Sequence, residues 1–143
     1  MSNHFSIALF AIGLAILGCT PNEEDPITCT DTPQINPVLF ESEADWVEVT
    51  RAELLTDCLE IQFSYNGCTE DAEFSLVFSE RVADTFPETK LARLHLLQDG
   101  DCNQTYVGNL QVNLRSIRIP DTDTIQIALE GWAAPILYTY SFD

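Results

Sequence analysis

The stretch at residues 59–65 reads LEIQFSY and decides the fold class. Four apolar side chains, from Leu59 to Tyr65, alternate with polar side chains at the positions between them. Because successive side chains of a β-strand point to opposite faces, this alternation predicts a strand with one buried face and one wet face. Asn66 and Gly67 follow directly and supply a turn signal.

Similar patterns continue outward from this strand. Further strands are predicted at residues 47–49, 74–78 (the returning strand after the turn), 91–97, 106–114, 125–129 and 136–142, with a hairpin turn at 120–123 and no convincing helix. The spacing predicts an all-β fold, an antiparallel β-sandwich of about seven or eight short strands. It is immunoglobulin-like in architecture only, because the Cys–Trp–Cys spacing of true immunoglobulin domains is absent.

The apolar pattern changes phase once, near Arg115. Leu110, Val112 and Leu114 share one face of a predicted strand, whereas Ile117 has the opposite parity. One extra residue reverses the face of every side chain that follows it, so a bulge or a bend is expected here.

The N-terminal residues have the character of an export signal. The apolar run at residues 5–17 is well short of the roughly 20 residues that a membrane-spanning helix needs. The motif Ile16-Leu17-Gly18-Cys19 resembles the lipobox of bacterial lipoprotein precursors, in which the cysteine is lipidated and begins the mature chain. An uncleaved membrane anchor and a buried core helix are the alternatives.

The lipobox divides the chain into a signal peptide at residues 1–18, a tether at 19–37 and a β-sandwich domain at 38–143. The tether is rich in Pro, Thr and acids and cannot bury apolar surface. Its acidic cluster at residues 22–25 resembles the export signal of some Bacteroidota surface lipoproteins, although that signal usually has Lys or Gln-Ala where Pro21 stands. We expect an outer-membrane lipoprotein, attached by the lipid on Cys19, that faces the periplasm or the cell surface.

Four cysteines remain when Cys19 carries lipid. An even number in an exported domain predicts two disulfides, for which three connectivities exist. Cys58 and Cys68 flank a predicted strand that spans on the order of 23 Å, whereas disulfide Cα atoms lie within roughly 7 Å, so that pairing is disfavoured. Two connectivities stay open, and we favour the one that joins Cys68 to Cys102 and Cys29 to Cys58. A zinc site is a poor alternative because no CxxC pair is present.

The motif order between residues 57 and 115 resembles a group of small uncharacterised lipoproteins from Bacteroidota. The segments that carry the resemblance are residues 59–65, Gly67-Cys68, residues 74–78, Leu94-His95 and residues 99–102. The resemblance implies no established activity, but it supports the Cys68–Cys102 pairing.

The formal net charge of −17 limits the classes of partner. Nucleic acid and anionic lipid headgroups bind to basic patches, so neither is expected to bind this chain. Solubility explains such a charge, and affinity for cations or basic partners is the other interpretation.

Two weak ligand sites are predicted. Asp99 and Asp101 begin like a calcium loop, but the glycine and glutamate that an EF-hand needs are absent, so calcium is the only cofactor considered and an Asp-Gly turn is the alternative. Trp132 stands in a predicted loop and is the candidate anchor of a binding surface, with core packing as its alternative.

Catalysis is not expected. His95 is the only histidine after the signal, and it alternates with Arg93 on what is predicted to be the solvent face of a strand. The predicted function is therefore that of an exported binding or interaction module with an unknown protein or glycan partner. The alternatives are a calcium-dependent carbohydrate-binding accessory of a surface complex and, less favoured, a small hydrolase or hydrolase inhibitor.

Overall fold

The computed structural model of the chain describes residues 29–43, 46–97 and 102–142. These residues form eight strands, one short α-helix and one 3₁₀ turn: β1 (Gln34–Ile35), α1 (Pro37–Glu41), β2 (Val47–Leu55), β3 (Cys58–Gly67), β4 (Glu73–Ala83), β5 (Glu88–Leu97), β6 (Gln104–Asn113), η1 (Leu114–Ile117), β7 (Thr124–Leu129) and β8 (Ile136–Thr139). The strands make two sheets that share one hydrophobic core. The predicted all-β class is therefore confirmed at the level of a mostly β fold with two sheets.

The three-stranded sheet has the order β2-β3-β6, and both pairings are antiparallel. The stretch that decides the fold class is its central strand, and the apolar side chains from Leu59 to Tyr65 are almost completely buried. The prediction that residues 74–78 form a strand returning beside this one is wrong. Residues 74–78 belong to β4, which lies in the other sheet, so the turn after Gly67 carries the chain between sheets instead of closing a hairpin.

The five-stranded sheet has the order β1-β4-β5-β7-β8 and is mixed. The pairs β4–β5 and β7–β8 are antiparallel, but β1–β4 and β5–β7 are parallel. The prediction of a purely antiparallel fold is therefore wrong. Side-chain alternation reports only which face is buried, and it carries no information about the direction of the neighbouring strand.

The helix α1, which the sequence pattern does not predict, precedes β2 and packs near β4 and β5. The Asn36 side chain accepts a hydrogen bond from the Leu39 backbone N–H (3.0 Å), and Pro37 occupies the first turn, where its missing N–H has no cost. The guanidinium of Arg93 lies 4.9 Å from the ring centre of Phe40. Arg93 is therefore largely covered, and the prediction that it faces solvent is wrong.

The phase change near Arg115 has a helical cause. Leu114–Ile117 form the 3₁₀ turn η1, in which Leu114 and Ile117 are both buried although their parities differ. Side chains three residues apart share a face of such a turn, which explains the pattern that was predicted to be a bulge or a bend. Residues 120–123 then lead from the three-stranded sheet into the five-stranded sheet, so the hairpin predicted there is also wrong.

Two disulfides join Cys29 to Cys58 and Cys68 to Cys102, with Cα atoms 5.6 Å and 5.0 Å apart. They are the pairs that the sequence favours. The first attaches residues that were predicted to belong to the tether, and Asp31 also forms a parallel bridge to Val112. Residues 29–37 are therefore part of the folded domain, and the predicted boundary at residue 38 lies too far along the chain.

Candidate functional site

A partly buried carboxylate connects the two sheets at one end of the molecule. Asp57 lies in the turn between β2 and β3, and its Oδ1 accepts hydrogen bonds from the Tyr138 hydroxyl (2.6 Å) and from Nη2 of Arg118 (2.7 Å). Its Oδ2 accepts from Nε of Arg115 (2.7 Å). Arg118 also donates from Nε to the Tyr138 oxygen (2.9 Å). We call these four residues the Asp57 network.

The hydrogen bonds of the Asp57 network fix its protonation states. Burial of Asp57 by itself would raise the pKa of its carboxyl group, but the hydrogen bonds from Tyr138, Arg115 and Arg118 outweigh burial and lower that pKa to about 2. Burial, with the hydrogen bond to Asp57, raises the pKa of Tyr138 to about 12. The carboxylate is therefore charged and the phenol neutral at pH 7, so neither group is suited to proton transfer there. The network serves as a brace.

This brace holds the segment that leads into β7. Arg118 donates from Nη1 to the Ser141 carbonyl oxygen (3.0 Å), and the next residue, Ile119, donates its backbone N–H to the Tyr140 hydroxyl (2.9 Å). The Tyr140 backbone N–H donates in turn to the carbonyl oxygen of Asp123 (2.8 Å). Residues 118–123 are thus fixed against the end of β8.

The braced segment forms one side of a surface groove of about 510 Å³. Residues 86–88, where the chain enters β5, also line it, together with residues 121–124 of the braced segment, and Leu137 of β8 completes the lining. We call this cavity the Phe86 groove. Its accessible lining is mostly apolar, and it carries the carboxylates of Glu88, Asp121 and Asp123.

The Phe86 side of the groove is also held by local hydrogen bonds. The Thr85 hydroxyl donates to the Pro87 carbonyl oxygen (2.8 Å) and lies 2.8 Å from the Thr89 hydroxyl. Phe86 itself is fully exposed at the tip of the loop, and Leu137 is 58% exposed. Hydrogen bonds thus hold both segments that line the groove, and a constrained site reduces the entropic cost of binding.

The carboxylates of the groove have few cationic partners. Lys90 is buried, and burial lowers its pKa while the charge of Glu88 raises it, so Glu88 is partly compensated. All five arginines lie within the described residues and are paired with other carboxylates: Arg51 with Glu53, Arg81 with Glu41, Arg93 with Glu130, and Arg115 and Arg118 with Asp57. Asp121 and Asp123 therefore keep an uncompensated negative charge.

The sites predicted from the sequence have different outcomes. Cys19, Asp99 and Asp101 lie outside the described residues, so lipidation and the calcium loop stay predictions. Within the described ranges, no three His, Cys, Asp or Glu side chains come together as metal ligands, and no helix is long and apolar enough to cross a membrane. His95 is half-buried, and its Nδ1 is buried without a hydrogen-bond partner among the described atoms.

The aromatic residues are placed mainly for packing. Trp132 is half-buried against the core, and its backbone N–H donates to the Leu129 carbonyl oxygen (3.0 Å). Tyr138 and Tyr140 are buried. Partial burial of Trp132 agrees with the packing alternative, and its role as the anchor of a binding surface stays a prediction. Trp46 remains 52% exposed.

Sequence reasoning missed the Asp57 network and the Phe86 groove. Pro87 indicates a loop at residues 83–88, and a phenylalanine in a loop is the available signal for an exposed anchor. No local signal joins Asp57 to Tyr138, since 81 residues separate them.

Comparison with known proteins concerns the fold. No protein-family model and no curated protein matches the chain. Among solved structures, the chain is similar to the crystal structure of a protein of unknown function, DUF1344, from Bacteroides vulgatus, with 16% sequence identity and a TM-score of 0.51. The match covers 78% of this chain and 58% of that one. This likeness shows the fold alone. The matched protein comes from a Bacteroides species, which is consistent with the resemblance to small uncharacterised proteins of Bacteroidota.

Proposed function

We propose that this chain is an exported, lipid-anchored binding module and that the Phe86 groove is its ligand site. The observation that carries the proposal is the full exposure of Phe86 beside a mostly apolar groove whose lining segments are held by hydrogen bonds. Exposed apolar surface with a polar rim is typical of interaction sites, and aromatic side chains are frequent binding anchors.

Two further observations support this role. The two disulfides suit an oxidising compartment outside the cytoplasm. The shared core of the two sheets suits a sandwich, a scaffold that commonly displays binding residues on the loops at its ends. Attachment to the outer membrane through Cys19 is the third part of the proposal, and it rests on the lipobox.

Site-specific photocrosslinking in intact cells tests the ligand site. A photoreactive residue replaces Phe86 in one variant and Val107 in a control, because Val107 is 60% exposed on β6 in the other sheet. We expect one discrete adduct from position 86, none of that mass from position 107, and loss of the adduct when Leu137→Asp is added. Identical products from both positions, or none from position 86, would show that the groove is not the ligand site.

Fractionation tests the anchor and the orientation. Cys19→Ala should abolish the incorporation of labelled fatty acid into the protein of the membrane fraction, and labelling that persists in this variant would contradict lipid anchoring at Cys19. Protease added to intact cells then separates the two orientations. Cleavage of the protein in intact cells would mean that its partners are extracellular. Protection of the protein until the cells are lysed would mean that its partners are periplasmic.

A further inference from the structure

We infer that the occupant of the Phe86 groove is a cationic segment of a partner protein, in which an apolar side chain lies between Lys or Arg residues. This inference rests on the proposed function and adds the chemistry of the ligand. An apolar side chain would contact Phe86 and Leu137, and the flanking charges would face the carboxylates at the rim.

The charge distribution supports a cationic occupant. Asp121 and Asp123 lie on the braced side of the groove and form no ion pair with the described arginines, each of which is paired elsewhere. Glu88 lines the same groove from the first position of β5. A ligand with positive charges on either side of an apolar group would therefore meet carboxylates from two segments of the chain, one at the start of β5 and one just before β7. The net charge of −17 adds long-range attraction for such a ligand.

The same charges disfavour the other occupants. A second copy of this chain has the same charge of −17, and its own tether carries Glu23, Glu24 and Asp25 without any Lys or Arg. A single metal ion is disfavoured because the groove carboxylates do not converge as ligands within the described residues. A small polycation would satisfy the carboxylates but would leave Phe86 and Leu137 exposed to water.

Synthetic peptides titrated into the isotope-labelled whole protein test the inference. One heptapeptide alternates Lys with Leu, a second replaces Lys with Glu, a third replaces Leu with Ser, and spermidine represents a small polycation. Chemical-shift changes locate the site, and calorimetry at low and moderate salt measures affinity. We expect the Lys/Leu peptide alone to shift residues of the groove, with an affinity at least about tenfold above the other probes and lower at higher salt.

Matched variants separate the groove from the overall charge. Asp121→Asn with Asp123→Asn should weaken binding of the Lys/Leu peptide by about tenfold. Asp121 has φ of +64°, a conformation that Asn also tolerates, so the substitution should not strain the backbone. Asp71→Asn with Glu73→Gln removes the same charge from exposed positions outside the groove and should change affinity by less than about twofold.

Each outcome decides one of the two claims. Equal binding of the Lys/Leu and Glu/Leu peptides at the groove would overturn the cationic partner and leave the proposed ligand site standing. Binding of spermidine as tight as that of the peptide would also overturn it, in favour of a small polycation. Equal losses of affinity for the Lys/Leu peptide in the two double variants would show that net charge, and not the groove carboxylates, causes the attraction, which would also overturn the cationic partner. Failure of every peptide would reject the inference, and the crosslinking experiment would still test the ligand site independently.

Discussion

Replacement of Asp57 by Asn should destabilise the protein by an amount that depends on pH. Asn keeps the size of the side chain but replaces the carboxylate, which accepts hydrogen bonds from Tyr138, Arg115 and Arg118, with an uncharged amide. The pKa of Asp57 falls from 3.8 to about 2 on folding. Because each pKa unit corresponds to about 1.36 kcal/mol, the charge should stabilise the fold by about 2 kcal/mol at pH 7. The Asp57 side chain is only 15% exposed, so screening by solvent should be modest.

The sign of the pH dependence follows from the lowered pKa. Between pH values of about 4 and 2 the unfolded chain binds a proton at Asp57 and the folded chain does not. The stabilisation is therefore complete above about pH 5 and is lost as the pH falls through about 2. Wild type and Asp57→Asn should differ by about 2 kcal/mol at neutral pH and should converge in acid.

Urea unfolding with both disulfides intact measures this difference through tryptophan fluorescence. Asp71→Asn is the control, because Asp71 is exposed, and it should change the free energy of unfolding by less than about 0.5 kcal/mol at every pH. A gap that persists unchanged in acid would show that the Asn side chain damages packing and that the charge is irrelevant. A gap below about 0.5 kcal/mol at pH 7 would show that the Asp57 network does not brace the fold.

Three further outcomes are expected. Tyr138 should ionise with a pKa of about 12, measured from the ultraviolet absorbance of phenolate that wild type shows and Tyr138→Phe lacks. The contribution of the neutral phenol to stability should be lost between about pH 10 and 12. Ionisation near pH 10 would contradict the burial of Tyr138. Gly108→Ala should lower the free energy of unfolding by about 1–3 kcal/mol, because the added Cβ would lie 2.5 Å from the Phe63 ring. If the effects of Gly108→Ala and Phe63→Leu simply add in the double variant, the two side chains do not clash. Cys68→Ala with Cys102→Ala should lower the free energy of unfolding by about 3 kcal/mol, and an unchanged urea midpoint would contradict a stabilising disulfide.

Local patterns were predictable because they depend on neighbours two or three positions away. The alternation from Leu59 to Tyr65 correctly identified the buried face of β3, since both the pattern and the strand have a period of two. The same rule located an irregularity near Arg115, but it did not identify the single turn of 3₁₀ helix at Leu114–Ile117 that causes it. It also missed α1, because five residues give too short a pattern to recognise.

Contacts between distant segments were not predictable from these patterns. β3 pairs with β2 and β6, and the strand that follows it in the sequence belongs to the other sheet. The parallel pairing of β5 with β7 likewise depends on how the chain crosses between sheets. Arg93 shows the consequence for single residues, since an outward-facing position on its strand became covered when α1 packed nearby.

The sequence by itself determined the β class of the domain, the buried face of its central strand and the strong negative charge. The sequence left two disulfide connectivities open, and the tertiary structure shows which of them forms. Only the tertiary structure brought Asp57 to Tyr138 and placed Phe86 beside Asp121 and Leu137. The physical reason is range. Side-chain periodicity and charge are properties of neighbouring residues, whereas the Asp57 network and the Phe86 groove exist only after the two sheets have packed on a common core.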